Sequence, residues 1–186
     1  MPTENENQLV SQYLAGDQEA LKILINRYLK LIYNFIYYHL KNQAEAEDIT
    51  QEVFIKVWRN LQKFDQTKNF KTWLYKIAYN TCIDFLRRQK AIPFSEFEDE
   101  AGRNPIVDNL ADPAPLPPEL FERQDLAAQL TAAIDQLPLK DRTVVLLHYQ
   151  NQLTFREIAD ALDQPLNTVK SRYQRALFVL KKHLLA

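Results

Sequence analysis

Glycine is nearly absent: the chain of 186 residues has two, Gly16 and Gly102. No glycine-rich loop is available to cradle a phosphate, which excludes the nucleotide-binding motifs built on such loops. Cysteine occurs once, at Cys82, so an intrachain disulfide and a cysteine-based zinc site are excluded; a small apolar residue is its simplest reading. No apolar run approaches the length that spans a bilayer. The N-terminal MPTENENQ is polar, unlike a signal peptide or an anchor, and a cytoplasmic protein is expected. His39, His148 and His183 stand in unrelated contexts, so no Ser/His/Asp or Cys/His arrangement can be argued. No catalytic residue, metal ligand or cofactor is assigned. Sustained period-two alternation is missing as well, while leucine, isoleucine, alanine and glutamine are plentiful, and an all-α fold is expected.

The formal net charge of −1 hides an uneven distribution. Residues 1–90 hold 13 cations and 10 acids; residues 91–119 hold Arg103 against seven acids; residues 120–186 hold nine cations and seven acids. An acidic segment thus separates two mildly basic ones. The stretch 91–118 also carries six of the nine prolines and reads as an extended linker. The expected architecture is two small helical domains, 1–90 and 119–186, joined by that acidic, proline-rich linker.

In the first domain, Thr3 with Glu6 suggests a capping box for a helix ending at Gly16. Asp17 is the cap of a long apolar helix to about Leu40, and Asn42 with Glu45 starts the next. There Ile49, Val53, Phe54, Val57, Trp58 and Leu61 form the apolar stripe. Glu45, Asp48 and Glu52 fall at metal-ligand spacing, but the Glu-x-x-His partners of helical di-metal sites are missing. A docking face for another protein, or plain solvation, is the better account. A fourth helix runs from Phe70 to Arg88 with Trp73, Leu74, Ile77, Ala78 and Phe85 as its core stripe. Its other face carries Thr72, Lys76, Tyr79, Asn80 and Arg87, with Tyr75 and Ile83 at the margin. Rings beside cations suit a single-stranded nucleic-acid platform; the alternative is a tyrosine-rich surface whose polar tips reach water.

In the second domain a helix over 120–137 and one from Pro138 to Tyr149 precede Asn151, placed in a left-handed turn. Then comes LTFREIADALDQPLNTVKSRYQR, residues 153–175. Thr154 and Glu157 form a capping box, and Leu153 with Ile158 the matching hydrophobic staple. Asp163-Gln164-Pro165 ends the first helix, and Asn167 is a cap candidate for the second. Val169, Tyr173, Ala176, Leu177 and Leu180 fall on the buried side of that second helix. Thr168, Lys170, Ser171, Gln174 and Arg175 fall within reach of a DNA groove, with Arg172 nearer the flank. From Asn167 onward there are five cations and no acid. A helix-turn-helix entering a major groove accounts for this spacing. The alternative is an ordinary hairpin with a solvated basic face. Asp163 stands where glycine is common, at some conformational cost.

The segments AEDITQEVFIKVWRNLQKFD (44–65), FKTWLYKIAYNTCIDFLRR (70–88) and LTFREIADALDQPLNTVKSRYQRA (153–176) resemble bacterial extracytoplasmic-function sigma factors. The resemblance implies a promoter-specificity subunit of RNA polymerase without catalytic activity of its own. It implies that Asp48, Gln51 and Glu52 dock on the clamp helices of the polymerase β′ subunit. It implies that residues 63–88 recognise and open the −10 promoter element, through Lys76, Tyr79, Asn80 and Arg87, with Asn80 lining a pocket for a flipped base. The helix over 166–176 is similar to the reader of the −35 element, and the linker to the connector in the polymerase's RNA path. An anti-sigma partner is also implied, though no residue identifies it. The rival class is a stand-alone helix-turn-helix regulator that binds duplex DNA unaided.

Overall fold

The computed structural model describes residues 5–90 and 124–184. All regular structure among them is helical: α1 Glu6–Leu14, α2 Gln18–Leu40, α3 Gln43–Asn60, a single 3-10 turn Leu61–Lys63, α4 Phe70–Lys90, α5 Gln124–Asp135, α6 Leu139–Tyr149, α7 Phe155–Leu162 and α8 Leu166–Leu184. The linker expected over 91–118 lies outside the described residues. So do Thr3 and the expected helix start at Leu120. No described helix is long and apolar enough to cross a membrane.

The chain divides into two compact units; α1 to α4 fall in the first, and α5, α6 and α8 in the second. In the first, local signals set the helix ends. Asn5, rather than Thr3, caps α1 through its side chain, and Gly16 follows that helix with φ of 108°, a conformation that suits glycine. Asp17 caps α2 by accepting from the Glu19 amide, and Asn42 caps α3 by accepting from the Glu45 amide at 3.2 Å. Leu24, Ile32 and Ile36 on α2, Val53 and Val57 on α3, and Leu74 and Ala78 on α4 are buried together. Burying each such side chain contributes about 1.5–3 kcal/mol for the larger ones. This core fixes the angle at which α3 and α4 present their outer faces.

Two stripes differ from the sequence expectation. On α3, Phe54 is half-buried and Trp58 is 54% exposed; its indole Nε1 donates to Tyr13 Oη at 2.9 Å on α1. On α4 the buried face is turned towards Tyr75, which is fully buried and meets Phe35 edge-on at 5.4 Å. Trp73, Ile77 and Phe85 are only half-buried, and Thr81, Cys82 and Leu86 complete the inner face instead. Burial pushes the Cys82 thiol up to about 12, which makes it an inert packing group.

In the second unit the left-handed residue after α6 is Gln152, not Asn151. Asn151 is buried, and its Nδ2 donates to Leu146 O at 3.1 Å, tying off the end of α6. Arg142 binds the other end of the unit's first turn: its Nη2 donates to Asp135 O and Leu137 O at 2.6 and 3.1 Å. α8 begins at Leu166, so Asn167 lies inside its first turn and is not the cap.

Candidate functional site

The turn between α7 and α8 is built as the sequence suggests. Thr154 and Glu157 form the capping box: Thr154 N and Oγ1 donate to Glu157 Oε2 at 2.8 and 2.7 Å. Leu153 and Ile158 are both buried. Asp163 is left-handed at φ 52°, the conformation the turn demands. An aromatic cluster then seats α8. His148 stacks on Phe155 at 4.5 Å, Phe155 meets Tyr173 at 4.9 Å, and Tyr173 Oη donates to Tyr149 Oη at 2.8 Å. His148 Nδ1 also lies 2.8 Å from Leu153 O, which locks the ring. α6 and α7 therefore hold one face of α8, where Val169, Tyr173, Ala176, Leu177 and Leu180 are buried as expected.

The opposite face is open. Lys170 and Arg175 are exposed, while Thr168, Ser171 and Gln174 are half-buried. Lys170 with Gln174, and Ser171 with Arg175, are four apart and so lie over one another on the helix. Arg175 also faces inward chemistry: its Nη2 is 3.7 Å from Oδ1 of Asp141 on α6. Burial pushes the Asp141 carboxyl up, against the opposing pull of Arg175, Arg172 and Lys140. Arg172 is only 4% exposed and is not the flank residue expected; its charge acts on this acid from inside the unit.

On α3, Asp48 and Gln51 are exposed, and Ile55 and Trp58 continue the same outward face at helical spacing. Reading Trp58 as core hid this apolar extension, although the spacing Gln51, Ile55, Trp58 contained it. Glu52 differs from its neighbours. It is half-buried and pairs with Lys56, whose Nζ lies 2.7 Å from Glu52 Oε1 and donates to Thr81 Oγ1 of α4 at 3.1 Å. Glu52 thus belongs to a polar link between α3 and α4 as well as to the acidic face. On α4, Asn80 and Arg87 are exposed, and Thr72, Lys76 and Tyr79 are half-buried on the same side. Arg87 pairs with Asp84 at 3.7 Å. The outward face of α4 therefore offers an amide, a phenol and cations to a ligand, with Thr81 and the α3 link at its edge. Among the described residues no group of histidines, cysteines or acids is placed to hold a metal ion.

Residues 24–92 match the family sigma-70 region 2, and residues 127–177 match sigma-70 region 4. The chain is 36% identical over 177 residues to the extracytoplasmic-function RNA polymerase sigma factor SigW of Bacillus subtilis, covering 94% of each. It belongs to the extracytoplasmic-function sigma factors. Two solved structures share the fold. CnrH, in complex with the cytosolic domain of CnrY, superposes with a TM-score of 0.68 at 21% identity, over 96% of each chain. The sigma factor RpoE of Bartonella quintana, in complex with the anti-sigma factor NepR, gives 0.66 at 21% identity, over 89% of this chain and 96% of that one. As a sigma factor the chain binds core RNA polymerase and directs it to promoters, where strand opening begins. The region 2 match spans the α3 and α4 faces and the region 4 match spans the α7–α8 turn, while α1 lies outside both.

Proposed function

We propose that this sigma factor divides its work between residues 1–90 and 119–186, with 91–118 as the linker. In the first part, Asp48, Gln51 and Glu52 dock on the β′ clamp helices. Residues 63–88 take the −10 element, with Lys76 and Arg87 on phosphates, Tyr79 for stacking and Asn80 for the edge of a flipped base. In the second part, α8 enters the major groove of the −35 element with Thr168, Lys170, Ser171, Gln174 and Arg175. The protein does no chemistry of its own and acts in the cytoplasm. An anti-sigma factor is its expected inhibitor, a reading supported by the fold it shares with RpoE bound to NepR.

The observation that carries this reading is the pair of outward faces on α3 and α4. A stand-alone helix-turn-helix regulator needs only α7 and α8, and leaves an acidic face and an aromatic, cationic face without a task. Gel shift of a promoter duplex with and without core polymerase separates the two. The proposal expects retention only when polymerase is present; a specific shift by the chain alone favours the regulator.

A further inference from the structure

The region 2 match begins at residue 24, so α1 is the folded helix of the first unit for which the family match gives no task. Its apolar side is seated conventionally: Leu9 and Val10 are fully buried. At its start Glu6 Oε1 accepts from Tyr28 Oη at 3.0 Å and from Arg27 Nη1 at 3.3 Å. Two further polar side chains, Asn7 and Ser11, reach the segment that leads into α4. Asn7 Nδ2 donates to Gln66 O at 2.8 Å and to Lys68 O at 3.0 Å. Ser11 Oγ lies 2.5 Å from Gln66 Oε1.

That segment, Phe64 to Asn69, contains no glycine or proline. Both ends are anchored by rings: Phe64 and Phe70 are buried and meet edge-on at 5.7 Å. Between them residues 65–69 are all exposed. Their shape is held by polar contacts alone. Asp65 Oδ1 accepts from Thr67 N and Oγ1 at 3.0 and 2.7 Å, and Asn69 Oδ1 accepts from Thr72 N at 3.1 Å, capping α4. The carbonyls of Gln66 and Lys68 face α1, where one primary amide takes both.

We propose that Asn7 is a positioning residue for promoter reading: through the two carbonyls it fixes the 64–69 segment in the shape in which Gln66, Thr67 and Lys68 meet the −10 strand. Ser11 supports the same latch through Gln66. This rests on the assignment of residues 63–88 to that strand. A primary amide is the group this position requires, because it brings two N–H donors to two acceptors. Asn7→Asp keeps the size and replaces both donors by an acceptor that repels the carbonyls.

The test uses the full chain with core polymerase. Asn7→Asp should raise hydrogen exchange at the amides of 64–69 about tenfold, as expected for the loss of two modest hydrogen bonds. It should flatten base preference at the −10 element in a promoter-library selection by about threefold to tenfold. Polymerase affinity and −35 preference should stay as in the wild type. Ser11→Ala should move both readouts in the same direction by less, and Ser11→Thr, which retains the hydroxyl, should restore them; this pair carries the test if Asn7→Asp does not fold. A loosened segment with an unchanged −10 profile overturns the proposal. So does a general rise in exchange through α2 and α3 with loss of polymerase binding, which would make α1 a stabiliser only. Asn80→Ala serves as the reference: if it leaves the −10 profile intact, the assignment of α4 fails first, and that outcome is distinct from a failure of Asn7 alone.

Discussion

Replacing Asp141 by asparagine removes the carboxylate that faces Arg175 and the buried Arg172. Breaking a buried ion pair by deleting one partner costs about 3–5 kcal/mol. Two features of this site reduce that figure. Arg175 is half-exposed, and a pair at 3.7 Å with one open partner contributes at most about 1 kcal/mol. Burial disfavours the Asp141 anion by more than Arg175, Arg172 and Lys140 together favour it, so the carboxyl is raised and neutralising it recovers the loss. We expect no net cost at neutral pH, so protection should stay within about threefold of the wild type or rise. Hydrogen exchange on the full chain should show it in peptides of α6 and α8, with those of α2 to α4 unchanged as the internal reference. Arg175 should at the same time become more available to phosphate, so the salt dependence of −35 duplex binding by the holoenzyme should steepen by about one phosphate contact. A loss of protection beyond about tenfold would show that the Asp141 anion holds this unit together, and would refute the account of how α8 is charged on its inner edge.

Gln174→Ala and Lys170→Ala should each relax preference at one or two base pairs of the −35 element by about 1–3 kcal/mol; identical profiles in a library selection would remove them from base reading. Asp48→Lys should weaken core-polymerase binding by setting like charge against a basic docking site, and a titration that matches the wild type would withdraw Asp48 from that face. Asn80→Ala should keep polymerase affinity, fail to open a duplex promoter and recover on a template already melted at the −10 element; permanganate footprinting that shows normal opening of the duplex would end its role. The two units should also answer acid in opposite senses. Burial would raise the Glu6 carboxyl, but hydrogen bonds from its own backbone and Tyr28 and the charge of Arg27 outweigh it, and the Thr67 hydroxyl and amide lower Asp65. Both groups stabilise the first unit above the ordinary carboxylate range and lose that contribution as pH falls through their lowered values. Asp141 is raised, so its contribution to the second unit is present in acid and is lost as pH rises through its raised value. Urea melts at about pH 7 and about pH 4 should therefore weaken α1 to α4 and spare α5 to α8; equal loss in both would contradict these assignments.

Three helix starts were legible because their cause is local. Asp17, Asn42 and Thr154 each bond an amide two or three residues on, so short sequence spacing contains the whole interaction. The buried stripe of α8 was legible for a similar reason: apolar and polar residues are cleanly segregated along it. α4 is different. Trp73, Leu74, Tyr75, Ile77, Ala78 and Tyr79 crowd one stretch with apolar or amphipathic side chains, and several inward faces satisfy the periodicity equally well. Phe35, forty residues earlier in the chain, decides between them by packing against Tyr75. Arg172 was misplaced because its burial is set by the rest of the unit, beyond any helical repeat. The latch from Asn7 to Gln66 and Lys68 spans 59 and 61 residues and left no local trace. By contrast the Glu52–Lys56 pair sits at the i, i+4 spacing that favours it, and was there to be read.

The bond between Trp58 and Tyr13 makes the protein its own optical gauge. The chain has two tryptophans, and both fall in the first unit. The indole of Trp58 stands on the outward face of α3 and leans on α1, so its emission colour and its access to iodide report whether α1 is seated. The same ring would be shielded when a partner covers α3. Trp73 packs against Phe64 at 4.9 Å and Phe70 at 5.8 Å, so it senses the two anchors of the 64–69 segment. Phenylalanine in place of either tryptophan isolates the other signal. Excitation at the red edge of the indole band then follows α1, α3 and the entry to α4 in the intact chain, with the tyrosines of the second unit silent.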